Sequence, residues 1–222
     1  MNPSSPHPSS RGYDRLAPFY DDLAGLVFGQ EMIDAQTCYL NAIPPHSKVL
    51  MLGGGTGWML QEMLKHNASL EVWYIDSSPK MLELASQKLN ENNQVQFILG
   101  TEENIPEGID FDILITHFFL DQFSDLELST MINRLTKWMG PDVKWLVADF
   151  VPSPKTQHQI LSWMMHTFFG WSVKNPNKSL VNWENALAAN GWSFQSQQYF
   201  FQDFMKSGIM KQINNNSSTR LN

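Results

Sequence analysis

A run of glycines directly after a short apolar segment most constrains how this chain can fold. The segment "KVLMLGGGTGWMLQEML" covers residues 48–64 and has glycine at four of the five positions 53–57. The residues before the glycines are typical of a buried strand, and a helical pattern of apolar residues begins at Trp58. Glycine is used where the backbone needs a positive φ or where another group lies directly on it. The loop is therefore predicted to offer its amides and a helix N-terminus to a polar or anionic ligand, with a tight turn that holds no ligand as the alternative.

Strand-like and helix-like segments alternate along most of the chain. Strands are predicted at 48–52, 70–76, 95–99, 111–119 and 143–150, and two β-type runs follow at about 192–199 and 200–205. Helices are predicted within 13–43, at 58–66, from Ser78 onward, at 124–138, around 158–171 and around 182–190. This alternation predicts an α/β fold with a doubly wound, mostly parallel sheet of seven strands. The last two runs leave no room for a crossover helix, so they are predicted to form a hairpin that makes one strand antiparallel.

Composition limits the class of protein. Residues 1–12 and 214–222 are rich in small and polar residues and are predicted to be disordered, which leaves a single domain over 13–213. A net charge of -7 argues against nucleic acid as a partner. The single cysteine, Cys38, excludes an intramolecular disulfide, and no apolar run is long enough to span a membrane. A cytoplasmic protein is expected, and no histidine spacing predicts a metal site.

The spacing of the glycines distinguishes between three classes of ligand. A Walker phosphate loop needs Lys directly after its last glycine, and a dinucleotide loop needs a sixth-position glycine, but Trp58 stands at both places. The loop fits G-x-G-x-G through Gly53, Gly55 and Gly57 instead. The second predicted strand ends in Asp76, where a carboxylate can accept hydrogen bonds from two ribose hydroxyls. A residue that only ends the strand is the alternative role of Asp76.

With these motifs the sequence resembles the class I S-adenosylmethionine-dependent methyltransferases that act on small molecules. The likeness is carried by "VLMLGGGTG", "VWYIDSSPKMLELASQKL", "VQFILGTEENIP" and "FDILITHFFLDQF", in that order, with "YDRLAPFYD" upstream at 13–21. The resemblance implies a Rossmann-like methyltransferase fold with a helical N-terminal lead-in. It also implies S-adenosylmethionine as the cofactor and a small-molecule methyl acceptor as the partner, with in-line displacement as the reaction.

The resemblance further implies a set of cofactor-binding residues, named here from the methionine end through the ribose to the adenine: Gly53, Gly55 and Gly57; Asp76; Ser77 and Met81; Thr101, Glu102 and Glu103. It places His117 next to the reactive centre. Methyl transfer needs alignment and sometimes a base, but no nucleophilic side chain. His117 is the candidate base or orienting group, with core packing as its alternative role. Asp121 is a second candidate that could equally cap the next helix, and Asp149 is expected to be a solvated strand end or to line the cleft.

Two positions depart from the family's pattern. Met51 stands where the family usually has an acidic residue, and Thr101 stands where it often has Asp. Each lost charged contact costs about 1.5–3 kcal/mol, or about ten- to hundred-fold in affinity. These departures motivate the alternative of a catalytically weakened fold that binds the cofactor or a protein, while Trp58 disfavours a nicotinamide oxidoreductase. The aromatic segment 162–171 indicates core or lid packing, or an apolar acceptor.

Overall fold

The computed structural model describes residues 27–89, 94–140, 142–156, 158–159, 161 and 180–213. The strands in these ranges are β1 (Lys48–Leu52), β2 (Glu71–Asp76), β3 (Gln94–Leu99), β4 (Ile113–His117), β5 (Lys144–Phe150), β6 (Trp192–Phe200) and β7 (Met205–Gln212). The helices are α1 (27–37), α2 (Trp58–His66), α3 (Pro79–Gln87), α4 (Asp125–Trp138) and α5 (Trp183–Ala189). Short 3-10 turns occupy Leu40–Ala42, Glu102–Asn104 and Leu120–Gln122.

The strands pair into one sheet in the order β3-β2-β1-β4-β5-β7-β6. The pairs from β3 to β5 are parallel, and β7 is antiparallel to both β5 and β6. The predicted fold class, a mostly parallel seven-stranded sheet with one antiparallel strand, is therefore confirmed. The chain leaves β1 toward β3 and returns to β4 on the other side, so the strand order reverses between β1 and β4. Ligands of such sheets bind beyond the carboxyl ends of the strands at this point.

Both faces of the sheet are buried, which explains the continuous apolar runs of its central strands. Leu50 and Leu52 of β1 join a cluster with residues of α4 and α5 on one face. Val49 and Met51 of the same strand join a second cluster with residues of α2 and α3 on the opposite face. Successive side chains of a strand alternate between the faces. Met51 is therefore a core residue of the second cluster.

Local sequence explains where two of the helices begin. The Ser78 side chain accepts a hydrogen bond from the Met81 amide, and Pro79 occupies the first turn of α3, where its missing N–H is not needed. Ser124 and Glu127 form a reciprocal capping box at the start of α4. Asp121 therefore does not cap α4, and that alternative role was wrong.

The last strand lies further along the chain than predicted. β7 covers Met205–Gln212, whereas the sequence pattern indicated a strand at 200–205. Phe201, Gln202 and Asp203 form the hairpin turn with φ of 48°, 55° and 70°, and they carry none of the usual glycine or proline signals. Lys206 and Ser207 are buried in β7 because each finds a partner, in Glu184 and in the Ala35 carbonyl. The hairpin itself was predicted correctly.

The described part of the N-terminal lead-in is α1. Phe28, Met32 and Ala35 of this helix pack against Ala148 and Phe150 of β5. Residues 13–26 of the predicted lead-in and both predicted disordered ends lie outside the described residues. So does most of the predicted helix around 158–171, of which 158, 159 and 161 are described as helical. Among the described helices, none has the length and apolar character needed to span a membrane.

Candidate cofactor site

The glycine loop, residues 53–57, turns at the carboxyl end of β1, beside the reversal of strand order. Hydrogen bonds tie it to β2. The Gly53 amide donates to the Ile75 carbonyl at 2.9 Å, and the Gly55 amide donates to Asp76 Oδ2 at 3.0 Å. The Tyr74 hydroxyl donates to the Gly55 carbonyl at 2.9 Å. The loop and the acidic end of β2 thus form one hydrogen-bonded unit.

Most glycines of the loop make room for the protein's own side chains. A Cβ on Gly53 would lie 2.2 Å from the Phe119 ring, and one on Gly54 would lie 2.3 Å from the Tyr74 ring. At Gly57, a Cβ would lie 2.6 Å from Ala85 of α3. Packing therefore accounts for the lack of a side chain at Gly53, Gly54 and Gly57, and contact of Gly53 and Gly57 with the cofactor stays a prediction.

Gly55 differs from the other glycines of the loop. A Cβ built there has no described atom within 4 Å, and the residue has a φ of +66°. Space for a ligand directly above the backbone is therefore present at Gly55. The residues fit a polar, nucleoside-bearing cofactor, because this bare backbone lies next to the carboxylate of Asp76.

Asp76 lies where the loops after three strands meet. Its Oδ1 accepts from the Ser78 amide at 2.9 Å, and its backbone carbonyl accepts from Gly100 at 3.0 Å, after β3. Its side chain is mostly buried, with 9% of the residue exposed. The carboxylate therefore organises the glycine loop and the start of α3. The role of Asp76 in ribose binding stays a prediction.

The residues predicted near the adenine occupy two neighbouring segments. Ser77 is partly buried, and Met81 is buried on α3. Thr101 caps the 3-10 turn after β3 through a bond from the Glu103 amide. Arg134 of α4 pairs with Glu102 at 3.1 Å and Glu103 at 2.8 Å. Both acidic side chains thus have a cationic partner on α4, and their contact with adenine stays a prediction.

His117 ends β4, next to the glycine loop. The residue is half-buried, and its Nδ1 is enclosed with no hydrogen-bond partner among the described residues. Burial lowers the pKa of His117 to about 3, so the imidazole is neutral near pH 7. A neutral imidazole can orient an acceptor through a hydrogen bond, but a pKa this low makes it a weak general base.

Asp121 and Asp149 meet directly after β4. Asp149 Oδ2 accepts from the amides of Phe119 at 3.0 Å, Leu120 at 2.7 Å and Asp121 at 3.4 Å. Its Oδ1 accepts from the Phe150 amide at 2.8 Å. Asp149 is fully buried, so the expectation of a solvated strand end was wrong. The signal in the sequence was an acidic residue inside the apolar strand "VKWLVADF".

Five phenylalanines pack together at the carboxyl ends of β4 and β5. Their ring centroids are 4.9–5.2 Å apart in neighbouring pairs, and His158 stacks on one of them at 4.6 Å. The members of this phenylalanine cluster are Phe28, Phe118, Phe150, Phe201 and Phe204. Sequence reasoning missed the cluster, because its members come from four distant segments. The aromatic segment 162–171 and the upstream 13–21 lie outside the described residues.

Residues 49–142 match a family model described as "Methyltransferase domain". A malonyl-[acyl-carrier protein] O-methyltransferase from Halalkalibacterium halodurans is 30% identical over 108 residues, which are 47% of this chain and 39% of that protein. A demethylmenaquinone methyltransferase from Thermotoga maritima is 33% identical over 119 residues, which are 52% of this chain and 50% of that protein. The matches span half or less of these relatives' lengths.

Solved structures agree on the fold. The SAH-bound form of CalO1, a methyltransferase in calicheamicin biosynthesis, has a TM-score of 0.63 and 16% identity. The alignment covers 89% of this chain and 57% of that chain. The match of residues 49–142 to the methyltransferase-domain model and the order of the strands agree with each other, and the chain has the fold of the class I S-adenosylmethionine-dependent methyltransferases.

Proposed function

We propose that this chain binds S-adenosylmethionine at the carboxyl edge of β1, β2 and β4 and transfers its methyl group to a small-molecule acceptor. The hydrogen bond of 3.0 Å between the Gly55 amide and Asp76 Oδ2 carries the proposal. It joins the open backbone at Gly55 to a carboxylate beside the point where the strand order reverses. The matched family and the relatives share methyl transfer in their names, which supports the same reaction here.

The proposed roles follow from position along this edge. Gly55 provides bare backbone for the methionine end, and Asp76 accepts hydrogen bonds from the ribose hydroxyls. Ser77, Met81 and the 3-10 turn at 102–104 line the adenine side. When bound, the sulfonium supplies the electrophilic methyl carbon, so the protein's task is alignment and exclusion of water.

An apolar acceptor fits the other side of the same edge. The phenylalanine cluster begins at Phe118, directly after His117, and continues through the end of β5. Four of the five rings are buried in the core, so the cluster is an apolar wall behind this side of the edge rather than an open pocket. It provides no partner for a charged acceptor, and burying a charge without a partner is costly. His117 lies between this wall and the glycine loop and is the proposed group that orients the acceptor.

Calorimetric titration with S-adenosylhomocysteine tests the proposal. We expect saturable binding with a dissociation constant of about 1 µM to 1 mM, the range usual for enzyme substrates. NADH is the matched control ligand, because it also carries adenosine but needs the glycine that Trp58 replaces. An absence of heat at millimolar S-adenosylhomocysteine, or tighter binding of NADH, would overturn the proposal.

A catalytically weakened module that binds the cofactor or a protein is the second candidate. Two observations favour it: Met51 is buried in the core and offers no charge, and the Phe119 ring lies against Gly53. The cofactor-binding form of this candidate predicts binding of S-adenosylhomocysteine without methyl transfer, and the protein-binding form predicts no binding of S-adenosylhomocysteine. Incubation with methyl-labelled cofactor and a panel of apolar hydroxy and thiol compounds distinguishes the two, since a labelled product supports the enzyme.

A further inference from the structure

We propose that Asp121 is a neutral carboxylic acid that donates a hydrogen bond to the ionised Asp149, and that this pair positions the loop 118–122 against the glycine loop. The inference concerns a pair of positioning residues on a loop that lines the proposed cofactor site. The shared proton itself does not depend on the proposed function, whereas the importance of the loop rests on it.

The two carboxyl groups differ in how many donors they receive. Asp149 accepts from four backbone amides, three of them consecutive residues that surround its Oδ2. Successive amides that converge on one oxygen form an anion-binding nest, which favours the ionised form. Asp121 is 6% exposed, and no described group donates a hydrogen bond to either of its side-chain oxygens. The negative charge therefore belongs on Asp149 and the proton on Asp121.

Chemistry supports the same assignment. A buried carboxylate without a donor is costly, and two adjacent carboxylates cannot both ionise easily. Burial, and then the negative charge of Asp149, raise the pKa of Asp121 well above its ordinary range. Burial also raises the pKa of Asp149, but its four backbone amides act in the opposite direction and favour the ionised form there. Because Asp149 receives four backbone donors and Asp121 receives none among the described residues, the pair is expected to share one proton, which lies on Asp121.

The charged groups on the surrounding elements do not neutralise the pair. Lys206 of β7 lies opposite Asp149 in the strand register, but its ammonium pairs with Glu184 of α5. His117 of β4 is neutral near pH 7 because of its lowered pKa. The acidic residues of the first turn of α4, Asp125 and Glu127, are exposed.

The loop that the pair holds has an unusual backbone. Phe118 has a φ of +51°, its amide donates to the Ala148 carbonyl at 2.7 Å, and its carbonyl accepts from Gln122 Nε2 at 3.0 Å. The next three amides all point at Asp149. The anchored loop places the Phe119 ring on Gly53 and sets the direction in which β4 ends. Ionisation of both carboxyl groups would repel the loop from β5.

Infrared spectroscopy of the ligand-free protein tests the shared proton. At pH 7 we expect the C=O stretch of a protonated carboxylic acid, lost in Asp121→Asn and retained in the control Asp112→Asn. Asp112 also accepts a backbone amide, from Lys48 at 2.8 Å, but it is exposed at the opposite edge of the sheet. The absence of such a band in the unmodified chain at pH 7 would overturn the proposal, whether or not any variant folds.

Amide hydrogen exchange tests the positioning role. After correction for intrinsic base catalysis, protection of the backbone amides at 119–121 in the unmodified chain should fall at least about tenfold across the pH range in which its infrared C=O band is lost. In Asp121→Asn, the new side-chain amide can donate to Asp149 at every pH, so the protection of the backbone amides should stay constant. Equal pH dependence in the two proteins would refute the positioning role. Both experiments are made without cofactor, so their failure is distinct from failure of the proposed methyl transfer.

Discussion

Substituting alanine at Gly55 and at Gly57 should distinguish a glycine needed for cofactor binding from a glycine needed for stability. Both residues have a positive φ, +66° and +81°, so a side chain at either one costs about 1–2 kcal/mol in backbone strain. At Gly57 the new Cβ would also lie 2.6 Å from the Ala85 Cα, a backbone atom of α3. Moving a packed helix adds about 1–3 kcal/mol. Gly57→Ala should therefore lower the free energy of unfolding by about 2–5 kcal/mol, and Gly55→Ala by only about 1–2 kcal/mol.

For ligand binding, Gly55→Ala should have the larger effect of the two substitutions. Gly55→Ala places a methyl group in the open space above the loop and should weaken S-adenosylhomocysteine at least about tenfold, or about 1.4 kcal/mol. Gly108→Ala is the matched control, because Gly108 has a φ of +75° and open space but precedes β4 at the opposite edge. Its variant should lose about 1–2 kcal/mol of stability and keep full affinity.

Urea denaturation and calorimetry measure the two quantities. If Gly55→Ala binds S-adenosylhomocysteine as tightly as the unmodified chain, no ligand lies on the glycine loop. If Gly57→Ala is as stable as Gly108→Ala, the contact between the loop and α3 does not constrain the fold as argued.

Three further changes probe the same edge of the sheet. Asp76→Asn should weaken S-adenosylhomocysteine binding at least about tenfold, whereas Asp112→Asn, which changes a carboxylate that also accepts a backbone amide, should change only stability. Equal affinities of the two variants in calorimetry would remove Asp76 from the site. The pKa of His117 is lowered to about 3 in the folded protein. Between about pH 6.5 and pH 3, the unfolded chain therefore binds a proton at His117 that the folded protein does not bind. Stability should fall with decreasing pH in this window by up to about 1.4 kcal/mol per pH unit, and His117→Gln should flatten that limb of the denaturation profile. Arg134→Ala removes two partly exposed ion pairs and should lower the free energy of unfolding, measured by thermal denaturation, by less than about 1 kcal/mol. A larger loss would show that the turn at 102–104 depends on α4.

Strands and helices whose signals are local were predicted closely. β1 and α2 have the predicted bounds, because an apolar run, a glycine loop and a helical spacing follow one another within 20 residues. The start of α3 was marked by Ser78 and Pro79. The last strand was misplaced because the turn at Phe201, Gln202 and Asp203 is held by tertiary contacts, including Lys155 Nζ to the Gln202 carbonyl at 2.7 Å.

The sequence by itself determined the fold and the edge of the sheet at which a cofactor should bind, because the order of strands, loops and acidic residues along the chain can be read from it directly. Which side chain lies on which glycine was decided only by the tertiary structure. Phe119 reaches the glycine loop from the loop after β4, and Ala85 reaches it from α3; no local pattern encodes these contacts. Asp121 and Asp149 are 28 residues apart and meet only because β4 pairs with β5. Burial then raises the pKa of both carboxyl groups, because the pKa of a carboxyl group depends on the water and charge around it, which a sequence does not contain.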